Sequence, residues 1–448
     1  MGILTEQHAK ELLTKVIAYS KADEIECNLD GEMGGNIRTA RNTVSTAGET
    51  SDIVLSVQSA FGKRLGIATI NEFDDESLKK VVRRSEELAK LSPENPEFLP
   101  NLGKQKYDKA INFAKSTAQV TPDFRAEAAD ASIRPSKKNK LVSSGYLSDT
   151  VRFSAIMNSS GLFAYNVNSN VNFSVTIKTE DGKGSGWVSR DYTDVSQLDT
   201  EKVSGIAIDK AIESAKAKAI EPGKYTVIME PHASVGLLSN MIQNMDQRTA
   251  DEGRSFLSRK SKEGDKNQAK NKLGEKMFDS RVSIYSDPSH PQVPTAPFAS
   301  DGHPVKRIDW VKNGVVGNMY NSRFWAEKTK TPYVATTVSS NQWIMEGGDE
   351  SLEQMIKNTR RGILITRLWY IRQLDPQTLM YTGLTRDGTF YIENGKIKHP
   401  IKNLRFNDSP IVMLNNIEAL GKPVRASGCL VPPMKIRDFT FSSTSDAV

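Results

Sequence analysis

The chain has 448 residues and carries 60 Lys and Arg against 54 Asp and Glu, a formal net charge of +6. That length exceeds what one ordinary core encloses and predicts two or three domains. A hydrophobic fraction of 38% and a charged fraction of 25% fit a soluble globular chain. So small a basic excess, spread along the whole length, is not the basic, aromatic-interleaved stripe of a nucleic-acid binder.

Cys27 and Cys429 lie far apart, which excludes a disulfide framework as the organising principle. The amphipathic, charged stretch through Glu24 lacks the apolar core and small-residue cleavage site of a signal peptide. No window approaches the apolar run that spans a membrane. Gly2 follows Met1, but Glu6 stands where a myristoylation motif wants Ser or Thr. The expectation is a soluble cytoplasmic protein without a membrane or nucleic-acid partner.

In chain order, residues 5–20 read as a helix with Leu12, Leu13, Val16 and Ile17 on one face. EIECNLDG reads as a strand closed by a turn at Asp30-Gly31, and residues 36–46 as a half-exposed strand or loop. SDIVLSVQSAFGKRLGIATI alternates around Gly62-Lys63 and predicts a hairpin. The helix after it, with Leu78, Val81, Val82 and Leu88 as its buried stripe, is expected to be capped by Asp75 or Glu76. A proline-rich connector runs on to Tyr107.

From Asp123 to Tyr192 the pattern reads as mainly β, with Lys137, Lys138 and Lys140 in a solvated turn. The glycine-rich 181-DGKGSG has no Lys-Ser/Thr ending and no following helix, so it reads as a hairpin loop and not a phosphate cradle. A helix is expected over residues 200–219. YTVIMEPHASVGLLSNMIQN then reads as a covered strand, a turn at Pro231 and an amphipathic helix carrying Val235, Leu238, Met241, Ile242 and Met245.

The lysine-rich run from Asp251 reads as an exposed excursion. Beyond it come a strand at residues 282–285, a loop with five prolines, a hairpin at Asn313-Gly314 and a short helix at residues 350–357. Hairpin turns are expected at Arg386-Asp387-Gly388 and at Glu393-Asn394-Gly395, a helix over residues 411–420, and a final strand in KIRDFTFSS.

No residue pattern announces a catalytic site. The five histidines, His8, His232, His290, His303 and His399, show no ligand spacing. His290 and His303 share the proline-rich loop and read as exposed, and His232 reads as a helix-start residue. There is neither a G-x-S-x-G elbow nor a Walker motif. Cys429 reads as a buried small hydrophobe; the alternative, a metal or nucleophile role, needs partners that the sequence does not identify.

Taken together, several stretches resemble the TldD/PmbA family, also known as modulators of DNA gyrase. They are SAFGKRLGIATINEFDDESLKKVVRRSEELAKLSPENPEF, SFLSRK, KLGEKMFDSRVSIYSDP, APFASDGHP and LDPQTLMYTGLTRDGTFYIENGKIKHPIKNLRFN. The resemblance implies an α+β fold, with an N-terminal α/β domain and a β-rich, barrel-like C-terminal domain. We expect boundaries at residues 1–105, 106–221 (a central β-rich segment packed with the first) and 222–448. It further implies dimerisation and a cytoplasmic peptidase acting on unfolded peptides, taken as extended strands.

One arm of that family is a zinc metallopeptidase whose central helix carries HExxxH, with a late cysteine completing the metal site. The PmbA/TldE arm lacks the histidines and assembles with the other. On this chain the motif positions fall on Ser239, Asn240 and Asn244, and Cys429 falls near the late cysteine. Hydroxyl and carboxamide groups are poor zinc ligands, and Asn240 cannot take a proton from a metal-bound water. The resemblance therefore implies a chain with no catalytic residues, cofactor or metal of its own, whose zinc sits in a TldD-like partner. Ser239, Asn240 and Asn244 read as polar residues on an open helix face. The rival readings are a stand-alone homodimeric peptide-binding protein and, more weakly, a regulator of DNA gyrase.

Overall fold

The fold is taken from a computed structural model, which describes residues 2–259, 270–336 and 342–445. Helix α1 (Glu6–Ala18) opens the chain, capped by the Thr5 hydroxyl. Strands β1 (Glu24–Ala40), β2 (Thr43–Phe61) and β3 (Arg64–Ile70) follow, then α2 (Asp75–Leu91), a short α3 (Lys115–Ala118) and α4 (Pro122–Lys138). β4 (Leu141–Asn158), β5 (Phe163–Thr179), β6 (Ser185–Tyr192) and α5 (Thr200–Glu213) complete this half. The six strands make one sheet of order β3-β2-β1-β4-β5-β6, antiparallel throughout.

Strand alternation fixes which face is covered. Odd-numbered residues of β1 and β4 enter two neighbouring apolar clusters on one face. α1 and α2 cover Ile25, Leu29, Leu55 and Phe153, while α4 and α5 cover Leu147, Phe173, Val175 and Ile177.

Four local expectations fail here, each for a physical reason. Asp30-Gly31 is no turn: β1 runs straight through, and Gly31 is needed because a Cβ there would meet the Phe153 ring at 2.2 Å. The chain reverses instead at Arg41 and Asn42, both at positive φ. α2 is capped by Asp74, one residue before the expected caps, with its carboxylate accepting from Glu76 and Ser77 N–H. Residues 122–138 are helix rather than strand. Pro122 sits in the first turn, where a missing N–H costs nothing, Thr121 caps it, and alanines at 128, 129 and 131 pack inward. Lys137 and Lys138 accordingly lie in the last helical turn.

The second half is built around a barrel. β7 (Gly223–Met229) leads into α6 (Pro231–Gln243). A small sheet follows from β8 (Ile284–Ser286), β9 (Ile308–Lys312), β10 (Val315–Val316) and β11 (Ile344–Met345). Next come β12 (Arg361–Asp375), β13 (Met380–Glu393), β14 (Lys396–Pro400) and β15 (Asn403–Asp408). β16 (Ile417–Leu420), β17 (Val424–Ala426), β18 (Cys429–Val431) and β19 (Met434–Ser445) end the chain. The order β12-β7-β19-β15-β13 closes on itself through a β12–β13 pairing, so five strands make a ring.

Two more expectations change in this half. Arg386-Asp387-Gly388 is a bulge within β13, two residues facing Thr366 alone, with Asp387 and Gly388 at φ 56° and 112°. The predicted 411–420 helix stops at Asn415, and β16 follows because Ile417 to Leu420 pair with β19. The turn at Asn394-Gly395 stands as expected.

α4 is locked to the sheet by charge as well as packing. Arg125 Nε and Nη2 donate to the Asp149 carboxylate at 2.6 and 3.0 Å, and both side chains are 6% exposed. The guanidinium lies over Gly35, where a Cβ would meet Arg125 Cζ at 2.0 Å. Arg125→Met strands a buried carboxylate and should lower unfolding free energy by about 3 kcal/mol or more. Urea denaturation checks this, and an unchanged midpoint would contradict it.

Candidate functional site

β7 is covered on both sides, by β12 and β19, so its Val227, Ile228 and Met229 are wholly buried. The chain then turns at Pro231, the first residue of α6. Ala233, Leu237, Leu238, Met241 and Ile242 bury the helix in the main C-terminal core, which also holds Trp343, Tyr381, Phe406 and Cys429. Gly236 lets β12 approach closely, since a Cβ there would meet Ile371 Cδ1 at 2.8 Å.

The four residues singled out in the sequence separate into two groups. Ser239 is buried, not on an open face, and its Oγ accepts from Trp343 Nε1 at 3.3 Å. Cys429 joins it: burial pushes the thiol up to about 12, while hydrogen bonds from the Trp343 main chain and the Ser239 side chain act weakly the other way. Asn240 and Asn244 turn elsewhere. Asn240 Nδ2 donates to the Gly236 carbonyl at 2.7 Å. Asn244 Nδ2 donates to the Asn240 carbonyl at 2.7 Å and to Tyr381 Oη at 3.2 Å. Gln373 Nε2 reaches the same phenol at 3.3 Å, and burial pushes Tyr381 up to about 12.

Trp343 and Tyr381, which fix these groups, were not singled out in the sequence. Their only signals were an indole and a phenol, each with a polar tip that needs a partner once buried. Beside Asn244 lies a cavity of about 490 Å³, also lined by Arg254 and Gln377.

The donor set does not fit a catalytic zinc ion. It comprises a hydroxyl, two carboxamides and a single buried thiol, with no imidazole or carboxylate among them. None of these can act as a general base near neutral pH. Among the described residues no three His, Cys, Asp or Glu side chains converge as a metal set.

The other histidines stand apart. His303 is half-buried rather than exposed: its Nδ1 lies 3.0 Å from Asp301 Oδ2, which also accepts from Tyr333 Oη at 2.8 Å. His290 Nδ1 accepts from Gln292 N–H within its loop. His232 occupies the first turn of α6, as expected, with its ring edge-on to Trp187 at 5.0 Å. Its Nε2 is buried and has no hydrogen-bond partner among the described residues.

The sequence comparisons assign these elements to one lineage. Three models of PmbA/TldA metallopeptidase domains match: domain 1 over residues 34–89, the central domain over 100–219 and the C-terminal domain over 222–443. The chain belongs to the PmbA/TldD family. It is 20% identical over 440 residues to metalloprotease PmbA of Escherichia coli O157:H7, covering 94% of this chain and 93% of that one. A metalloprotease of Methanothermobacter thermautotrophicus is 22% identical over 67% of this chain and 70% of its own. In fold, the chain is similar to the crystal structure of TldE from Thermococcus kodakarensis, with a TM-score of 0.84 at 18% identity, covering 97% of this chain and 99% of that one. It is also similar to a candidate modulator of a DNA gyrase from Thermotoga maritima, with a TM-score of 0.85 at 17% identity, covering 97% and 100%. Among the described residues no helix is long and apolar enough to cross a membrane.

His232 gives this region a pH signature. Burial, followed by the nearby Arg190, Lys210 and Arg367, lowers its pKa from 6.5 to about 3. Below pH 6.5 the unfolded chain takes up a proton that the native chain refuses, so native stability falls as the pH drops toward 3 and is unaffected above 6.5. The slope from this group approaches about 1 kcal/mol per pH unit. Urea unfolding between pH 7 and 4 should show wild type losing stability faster than His232→Phe. Parallel curves would contradict the assignment.

Proposed function

We propose that this chain is the non-catalytic, PmbA/TldE-like subunit of a cytoplasmic zinc metallopeptidase that processes unfolded peptides. The zinc belongs to a relative carrying HExxxH, with which this chain pairs. The observation that carries the reading is the state of the motif positions. A hydroxyl and two carboxamides, held by Trp343 and by helix carbonyls, stand where the motif has two imidazoles and a carboxylate, which leaves neither a good zinc donor nor a base on the strand–helix frame. Membership of the family and the name metalloprotease borne by its relatives supply the reaction class.

The role of the chain is then to complete and shape a substrate chamber whose chemistry is done by its partner. Its own buried groups serve packing. Ser239 satisfies the indole N–H, and Cys429 fills apolar space as a neutral thiol.

Metal analysis of the chain purified alone tests this. Fewer than roughly 0.1 zinc per chain and no chelator-sensitive peptide cleavage are expected, because a closed zinc site needs four good donors. One zinc per chain with cleavage abolished by chelation would overturn the reading.

A further inference from the structure

The glycine-rich stretch 181-DGKGSG joins β5 to β6, as its sequence predicts. Two of its glycines serve packing: a Cβ at Gly184 or Gly186 would meet the Ala211 or Ala207 carbonyl oxygen of α5 at 2.2 or 2.1 Å. The loop also borders the junction of the two halves, where there is a cleft of about 650 Å³. One wall is this loop and the turn after α5. The other is the bulge of β13, the β14–β15 connection and the end of β19. Clefts of this size between packed units are where small ligands bind.

Charge decides the class of ligand. Lys183 and Lys216 stand exposed on the first wall, and Lys402 stands on the second. Two acids line the cleft, and both are engaged. The Asp181 carboxylate accepts from Thr179 Oγ1 at 2.7 Å and from Lys183 N–H at 3.1 Å, within its own loop. Asp387, with a wholly buried side chain, accepts from Ser185 Oγ at 2.5 Å and pairs with Arg367 Nη2 at 2.7 Å, with Arg386 Nε at 3.8 Å. Three lysines and two arginines thus stand against two carboxylates. The carbonyl end of α5 is a further negative pole, but it is capped. Ser214 and Ala215 N–H donate to the Lys210 and Ile212 carbonyls, and Ser214 Oγ reaches that of Ala211 at 3.3 Å.

The lining also limits what the anion carries. Among the described residues no aromatic ring lines the cleft, so it has no platform on which a nucleobase would stack. No arginine lines it either, so no planar fork is offered to a carboxylate. Ammonium groups bind phosphate as point charges.

We propose that this cleft binds a small aliphatic phosphate ester, with Lys183 and Lys216 on one wall and Lys402 on the other. Cations on both walls favour a ligand with two phosphate groups. Bound there, it ties the β5–β6 loop and the turn after α5 to the barrel, and the native chain gains stability by mass action. The cleft shares no residue with α6, so the proposal stands or fails independently of zinc content and subunit pairing.

Isothermal titration calorimetry of the whole chain with fructose bisphosphate tests this. Saturable binding is expected at low salt, weakening as salt rises, with a higher melting temperature in its presence. Lys183→Glu/Lys216→Glu, at two exposed positions, should weaken binding roughly tenfold or more. Lys80→Glu, an exposed site on α2, should leave it unchanged, and circular dichroism checks that each variant is folded. Absence of saturable binding, or binding that the double variant leaves unchanged, overturns the proposal. So does sulfate binding as tightly as the bisphosphate, which marks an adventitious ion only, or citrate binding more tightly, which marks a carboxylate site.

Discussion

The candidate site depends on the junction where β7 passes into α6. β7 is wedged between two strands of a closed ring, so its exit point is fixed. At that exit Glu230 is the N-cap of α6, yet its side chain does not cap the helix. Both of its oxygens instead accept from Lys210 Nζ on α5, at 2.7 and 2.6 Å, and the same ammonium donates to Thr366 at 3.1 Å. One ion pair, 14% and 20% exposed, thus ties the N-terminal helix layer, the barrel and the start of the central helix together. His232 against Trp187 and Arg425 with Asp191 extend the same seam.

A helix held this firmly keeps its frame whatever side chains stand on its polar face. The apolar stripe of α6 is committed to the core whatever occupies its polar positions, so those positions can change without unfolding the domain. Here Ser239 and Cys429 still meet, through Trp343, while Asn240 and Asn244 fold back onto their own helix. A carboxamide four residues after a helical carbonyl reaches it without strain through its N–H, and its remaining oxygen is a far weaker zinc donor than imidazole or thiolate.

What was legible in the sequence follows from how local each signal is. β7 and α6 were readable because a continuous apolar run and a 3.6-residue stripe adjoin at a proline. The Gly62 and Asn394-Gly395 hairpins were readable because their turn residues demand particular backbone angles. The failures came where a residue serves a distant neighbour. Gly31 makes room for Phe153, 122 positions later, and Gly388 lies in a bulge rather than a turn. α4 reads as β from its sequence with Lys137, Lys138 and Lys140 as a solvated turn, whereas the alanine face and the Arg125–Asp149 pair keep it helical. At the site, the motif positions came from resemblance. The indole of Trp343 signals that its N–H needs a partner, but nothing local in the sequence names Ser239, 104 residues away, as that partner.

The central claim is that the frame of a metallopeptidase survives here without its chemistry, to be completed by another chain. The most direct measurement is co-expression of this chain with an HExxxH-bearing relative, followed by co-purification and peptide-cleavage assays on the complex and on each chain alone. The account predicts a one-to-one complex that cleaves peptides, with activity abolished by mutating the glutamate of the relative's motif. A relative that never associates with this chain, or a complex whose activity survives that mutation, would contradict it.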